Sequence, residues 1–175
     1  NRLKKIPSDL AELKNLQELD LSGNKFKKKY GIWNDLKELV GLKQLNLGGN
    51  SIGPPPEDLS VLSSLETLNL SGVSLKNEKL AQMSKSLGTL PALSSLDLSS
   101  CKISEVPDEM LDLKGLKSID LSNNKLEEVP TKLNRLSGLD SLILWGNPVV
   151  ADGATEHHEE FPGFDEEERE WPDLD

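Results

Sequence analysis

The chain carries very little sulfur, few aromatics and almost no histidine. A single cysteine, Cys101, in 175 residues excludes an intrachain disulfide framework and favours a reducing, intracellular compartment. Aromatic residues make up 4% of the sequence, so the core must be aliphatic, and leucine dominates it. No apolar run reaches the roughly 20 residues of a membrane-spanning helix. No secretory leader is visible, although the chain opens on Asn1 rather than Met. Histidine is confined to His157-His158, so a serine–histidine–carboxylate set would have to be built from an irregular acidic stretch. Adjacent histidines with no second fixed group are a weak metal motif, and there is no phosphate-binding glycine loop. No catalysis and no cofactor are expected.

Positive charge is also missing from one end. Residues 1–50 hold ten Lys/Arg against six Asp/Glu, residues 51–150 nine against thirteen, and residues 151–175 one against eleven. The net charge of −10 therefore matches that of the last 25 residues. Such an acidic end argues against nucleic acid as a ligand and suits a basic protein partner, or simply solubility.

What is present is one phrase, repeated. Leu113, Leu116, Ile119, Leu121 and Asn124 stand at fixed offsets, continue through Leu126, Val129-Pro130 and Leu133, and begin again at Leu136. Six copies of its strand part are found, at 16–24, 42–50, 65–73, 93–101, 116–124 and 139–147. Most units run 23 residues, but one runs 26 and one 28. The x-Leu-x-Leu-x alternation predicts a half-buried strand with leucines inward. Parallel strands about 4.8 Å apart would give a concave sheet roughly 25 Å across. Covered parallel crossovers require a right-handed path.

Asn1, Asn24, Asn50, Asn124 and Asn147 recur where the chain leaves each strand, and predict a ladder of side chains bonded to buried turn backbone. Cys101 holds the same place as a weak substitute, while Val73 cannot bond and predicts a local break. Asn77, as an N-cap, and Leu80, Met83, Leu87 and Leu90 predict a helix near 78–87. Leu36, Leu39 and Val40 predict a short helix, and the Ile/Val-Pro pairs an extended or tightly turned convex side. Asn1 already stands at the asparagine place, so the chain is read as starting inside a repeat, with residues 1–148 one repeat domain and 149–175 an acidic cap or tail.

These residues resemble the leucine-rich-repeat superfamily. The 23-residue units are similar to the Ras-scaffold and plant Ras-group type, and the 28-residue unit to the ribonuclease-inhibitor type. The paired-cysteine caps of secreted members are absent. The resemblance implies an α/β solenoid, a right-handed horseshoe with a parallel concave sheet and a convex side mixing short helices with extended segments. It implies a non-enzymatic scaffold or adaptor binding a protein partner, and the domain is expected to be monomeric. More loosely, Asn147-Pro148 and Trp171-Pro172 resemble the caps of acidic nuclear phosphoproteins and phosphatase-regulating repeat proteins, without their Tyr-Arg pair.

Three outward columns follow from the phrase. The central one is Asp20, Asn46, Asn69, Asp97, Asp120 and Ile143, and the next ends in Trp145 after Ser22, Gly48, Ser71, Ser99 and Ser122. They form either a mildly acidic groove for a basic segment or ordinary repeat consensus. Ile143 and Trp145 break the pattern, as an exposed anchor or as a patch covered by the C-terminal segment. Phe161, Phe164, Trp171 and Leu174 suit a cap of the last repeat, or a linear binding motif; the run 165–168 suits a solvated face. Lys27–Lys29 suit a solvated loop, or contact with phosphate or an acidic partner. A kinase or ubiquitin-ligase recognition domain, and an acidic adaptor for histones or a phosphatase, are the rival functions.

Overall fold

A computed structural model describes residues 1–27 and 31–150. Lys28, Lys29 and Tyr30, and everything from Ala151 on, lie outside the described residues; His157, His158, Phe161, Phe164, Asp165–Glu168, Trp171 and Leu174, on which expectations were placed, are among them. Six short strands, β1 (Glu18–Asp20), β2 (Gln44–Asn46), β3 (Thr67–Asn69), β4 (Ser95–Asp97), β5 (Ser118–Asp120) and β6 (Ser141–Ile143), form one parallel sheet in chain order. Each unit thus makes one turn of an α/β solenoid. Leu45, Leu68, Leu96, Ile119 and Leu142 face the core and are buried, stacked in register from strand to strand.

Two α-helices back the two longer units. α1 (Ile32–Leu36) is laid down by Ile32, Trp33 and Leu36, all buried, and the Trp33 indole donates to the Gly53 carbonyl at 3.0 Å. It ends at Leu36, before the Leu39 and Val40 expected to belong to it; Leu39 is buried and Val40 exposed. α2 (Asn77–Leu87) buries Leu80, Met83 and Leu87. It starts at Asn77, so its N-cap is Lys76, and Asn77 instead accepts a bond from the Ser104 hydroxyl at 3.3 Å. Ser84 and Ser86, also buried on α2, donate back to the carbonyls of Leu80 and Gln82, which settles their hydroxyls within the helix.

Three of the four proline sites differ from expectation on the side away from the sheet; the fourth, Pro54–Pro56 in the unit that starts at Leu39, holds no helical segment, as expected. Where an extended or tight-turn path was expected, 3₁₀ segments form at Ser8–Glu12, Asp108–Asp112 and Thr131–Arg135, each directly after a proline. Each proline stands just before its segment, and its carbonyl accepts the first amide of the turn, from Leu10, Met110 and Leu133 respectively. One leucine of each such segment, or Met110, then reaches the core. At the first half-turn the same pattern is incompletely covered: Leu13 is 50% exposed, whereas Leu39, Leu62, Leu90, Leu113 and Leu136 are buried. Among the described residues no helix is long and apolar enough to cross a membrane.

Candidate functional site

The strand register aligns the outward columns residue by residue. Glu18, Gln44, Thr67, Ser95, Ser118 and Ser141 form one row across the sheet, and Asp20, Asn46, Asn69, Asp97, Asp120 and Ile143 the next. The second row has work inside the fold. Asp20, Asn46, Asn69, Asp97 and Asp120 each accept, through Oδ1, the backbone amide two residues on, at 2.8 to 3.0 Å. This Asx turn starts the chain's exit from the strand. The Ser22 hydroxyl and amide hold the Asp20 carboxyl below the usual carboxylate range. The other oxygens face neighbours: Asn46 donates to Asp20 at 3.3 Å and Asn69 to Asp97 at 2.7 Å.

Behind the sheet face runs the ladder of turn side chains. Asn124 is the fullest example. Its Oδ1 accepts the amides of Cys101 and Ile103, and its Nδ2 donates to the carbonyls of Leu98, Leu121 and Ser122. One side chain therefore ties its own turn to the preceding one. Asn50 and Asn147 do the same, reaching back to Leu21 and Leu121 respectively. Asn24 binds Leu21, Ser22 and the amide of Leu3. Cys101 shares its one S–H between the carbonyls of Leu70 and Ser99, at 3.2 and 3.4 Å. Burial pushes this thiol up to about 12, so it is a donor and not a thiolate nucleophile.

Asn1 is exposed, and its terminal amine donates to the Gly23 carbonyl. Val73 holds the ladder place with no polar group, yet the strands on both sides of its turn stay in register; its side chain is fully buried instead. The expected break is chemical and leaves the backbone path intact.

The sequence carried a further column that leucine spacing does not reveal. The residue before each ladder position has positive φ: Gly23, Gly49, Gly72, Ser100, Asn123 and Gly146. Gly-Asn pairs were its visible signal. At Gly146 the need is double, because a Cβ there would meet the Asn123 carboxamide at 2.5 Å.

That close stacking fixes the last turn, and with it Trp145, whose carbonyl accepts the Asn123 amide at 2.8 Å. Trp145 is 51% exposed. Ile143, paired directly with Asp120, is half-buried. The two stand together at the β6 side of a face that elsewhere presents small or polar groups. Among the described residues no cluster of His, Cys, Asp and Glu is arranged to hold a metal ion.

Comparison with known proteins bears on the fold. Two leucine-rich-repeat family models match, one over residues 91–149 and the other over 15–39 and 41–62. No curated protein matches. An internalin from Listeria monocytogenes is similar in structure, with a TM-score of 0.55 and 24% identity, covering 82% of this chain and 38% of that one. A leucine-rich-repeat protein from Leptospira interrogans aligns with a TM-score of 0.49 and 26% identity, covering 83% of this chain and 47% of that one. The chain thus spans less than half the length of either. Repeated strand phrase, sequential parallel sheet, asparagine-bonded turns and family models agree: the chain belongs to the leucine-rich-repeat superfamily.

Proposed function

We propose that this chain is a non-enzymatic protein-binding module that receives its partner on the polar face of the sheet, anchored at Ile143 and Trp145. In this reading residues 1–148 are the binding domain and 149–175 an acidic appendage. Leucine-rich-repeat domains generally mediate protein–protein interaction, which sets the class. The observation that carries the location is the exposure of Trp145 beside Ile143. Large apolar groups, tryptophan above all, concentrate binding energy, whereas small residues such as Ser71 rarely anchor an interface. The carboxylates and amides of the central column are already engaged in turns, so they shape the face and lend it charge.

Affinity capture with the intact chain, and then with Trp145→Ala, tests this. Trp145→Ala is expected to weaken the captured complex by at least about 2 kcal/mol and to leave the urea midpoint unchanged; Ser71→Ala should cost far less. A lowered urea midpoint with unchanged affinity would mean that Trp145 is covered by the chain itself, and would overturn the placement.

A further inference from the structure

We propose that the corner formed by Trp145, Ile143 and Asp120 seats an arginine side chain of the partner, with a neighbouring apolar residue of the same segment resting on Ile143. This deepens the proposed function and rests on it.

The charge of the face chooses the occupant. Of the eighteen positions in the three columns, Glu18, Asp20, Asp97 and Asp120 are acidic and none is basic, while Gly48 and Ser122 are buried. A cationic segment is attracted to such a surface. The chain's own residues 151–175, with eleven acidic side chains and one arginine, are repelled by it.

Geometry then distinguishes arginine from lysine. Asp120 is directly opposite Ile143 in the β5–β6 register, and Trp145 follows Ile143 by two residues, on the same face. Trp145 lies in the turn that follows β6, and its carbonyl accepts the Asn123 amide at 2.8 Å, which sets it beside the turn that Asp120 opens. The Asp120 carboxylate is held in place, because Oδ1 accepts the Ser122 amide at 2.8 Å, while Oδ2 has no donor among the described residues. A planar guanidinium can lie on the indole face and present its N–H edge to that oxygen at once. A lysine ammonium is a point charge and cannot satisfy both as well. Asp97 differs, since its second oxygen already accepts from Asn69. Asp20 differs likewise, bound by Asn46. Among the described residues the open carboxylate oxygen and the exposed indole thus coincide only at β5–β6.

The test is a selection from a random-peptide library on the intact chain, with binders retained by the Trp145→Ala chain removed. Selected peptides are then synthesised with arginine, lysine or citrulline at each arginine position and measured by fluorescence anisotropy. Trp145-dependent peptides are expected to share an arginine beside an aliphatic or aromatic residue, and citrulline in its place should weaken binding about tenfold or more. Asp120→Asn should weaken the arginine peptides by about tenfold and barely affect the citrulline ones. Its thermal midpoint should not move, since Asn46 and Asn69 close the same turn with a carboxamide oxygen. Trp145-dependent peptides that lack arginine, or that bind equally with citrulline, would overturn the arginine seat and leave the docking face standing. Absence of any Trp145-dependent peptide, together with a lowered midpoint in Trp145→Ala, would overturn both.

Discussion

The outer turns at Asn24, Asn50, Asn124 and Asn147 and the two middle turns at Val73 and Cys101 lead the chain out of equivalent strands by different chemistry. In the outer turns a buried carboxamide answers buried backbone groups: five bonds at Asn124, four at Asn50, three each at Asn24 and Asn147. In the middle, Cys101 offers one weak donor and Val73 none. The strands nevertheless stay in register across both. Register is therefore set by the leucines and by strand pairing, and the asparagines add stability to a path already chosen. The middle has its own compensation, since α2 packs on the following 3₁₀ segment through Met110 and Ser84, at 2.8 Å. Residues 63–90, which include Val73 and α2, also fall between the stretches that the family models match.

The largest expected break in this comparison is Asn124→Ala. It would leave the amides of Cys101 and Ile103 and three carbonyls without that side chain, in a buried site. At roughly 1–3 kcal/mol for an unsatisfied buried group, with partial relaxation, the loss should be about 3 kcal/mol. Cys101→Ala should lose only about 1 kcal/mol, the worth of one weak bond and a small void. Urea unfolding of the two variants measures both, and equal losses would remove the distinction between the turn types.

Next in size is an alkaline effect confined to the middle. The Cys101 thiol is pushed up to about 12 by burial in the folded chain, against an ordinary value of 9.0 once unfolded. A folded value above the unfolded one means that the folded chain holds the proton longer. Its contribution is complete below pH 9 and is lost as pH rises toward 12. Between pH 8 and pH 10.5 the wild type should therefore lose about 2 kcal/mol more than Cys101→Ala does. All other groups are common to both chains, and their contribution cancels in the difference. Parallel curves for the two proteins would show the thiol to be solvated.

The comparison also explains what the sequence could and could not show. Strand positions and their register follow from leucine at alternate places, because a slip of one residue would turn the whole apolar set outward. The helix of the longest unit was legible from Leu80, Met83 and Leu87, and only its first residue was displaced. α1 was placed too late, since its position depends on a bond from Trp33 to Gly53, twenty residues away, which no local period encodes. The 3₁₀ segments after Pro7, Pro107 and Pro130 were missed because one tight turn and a single 3₁₀ turn look alike in sequence. On the sheet face, the columns could be listed from the phrase. The internal bonds of Asp20 to Asp120 could have been inferred from the Asp/Asn-Leu-Ser/Gly spacing. What covers or meets Trp145 could not, because it is decided by groups distant in sequence or on another molecule.

Val73→Asn sharpens the comparison from the other side. An asparagine there would offer Oδ1 to the amides of Asn50 and Ile52, as Asn124 does to those of Cys101 and Ile103. Two or more added bonds at about 0.5–1.5 kcal/mol each slightly exceed the roughly 1.5 kcal/mol of lost valine burial. A gain of up to about 1 kcal/mol in urea unfolding is expected. A loss of similar size would show that the middle turn has been fitted to an apolar residue and no longer has the outer turns' shape.

The smallest effect concerns backbone conformation alone. Three of the four outer turns, and the middle turn at Val73, place glycine at the positive-φ position (Gly23, Gly49, Gly146 and Gly72), while the Cys101 turn has Ser100 at φ 57° and, uniquely among the described turns, a second such residue, Lys102, at φ 63°. A side chain there crowds the following carbonyl, which glycine avoids. Both residues are exposed, so removing their side chains costs little packing. Glycine also enlarges the freedom of the unfolded chain, which offsets part of the relief. Ser100→Gly and Lys102→Gly should each stabilise the fold by about 0.5 kcal/mol. Asn123→Gly should gain less, because asparagine tolerates φ 54° better than serine or lysine does. Ser99→Gly, one residue from Ser100 but outside the positive-φ set, should lose stability by a comparable amount. Thermal midpoints of the four variants give the order directly. If Ser99→Gly and Ser100→Gly shifted the midpoint in the same direction, the strain assigned to the Cys101 turn would be absent. The weakness of the middle turns would then lie in their hydrogen bonds alone.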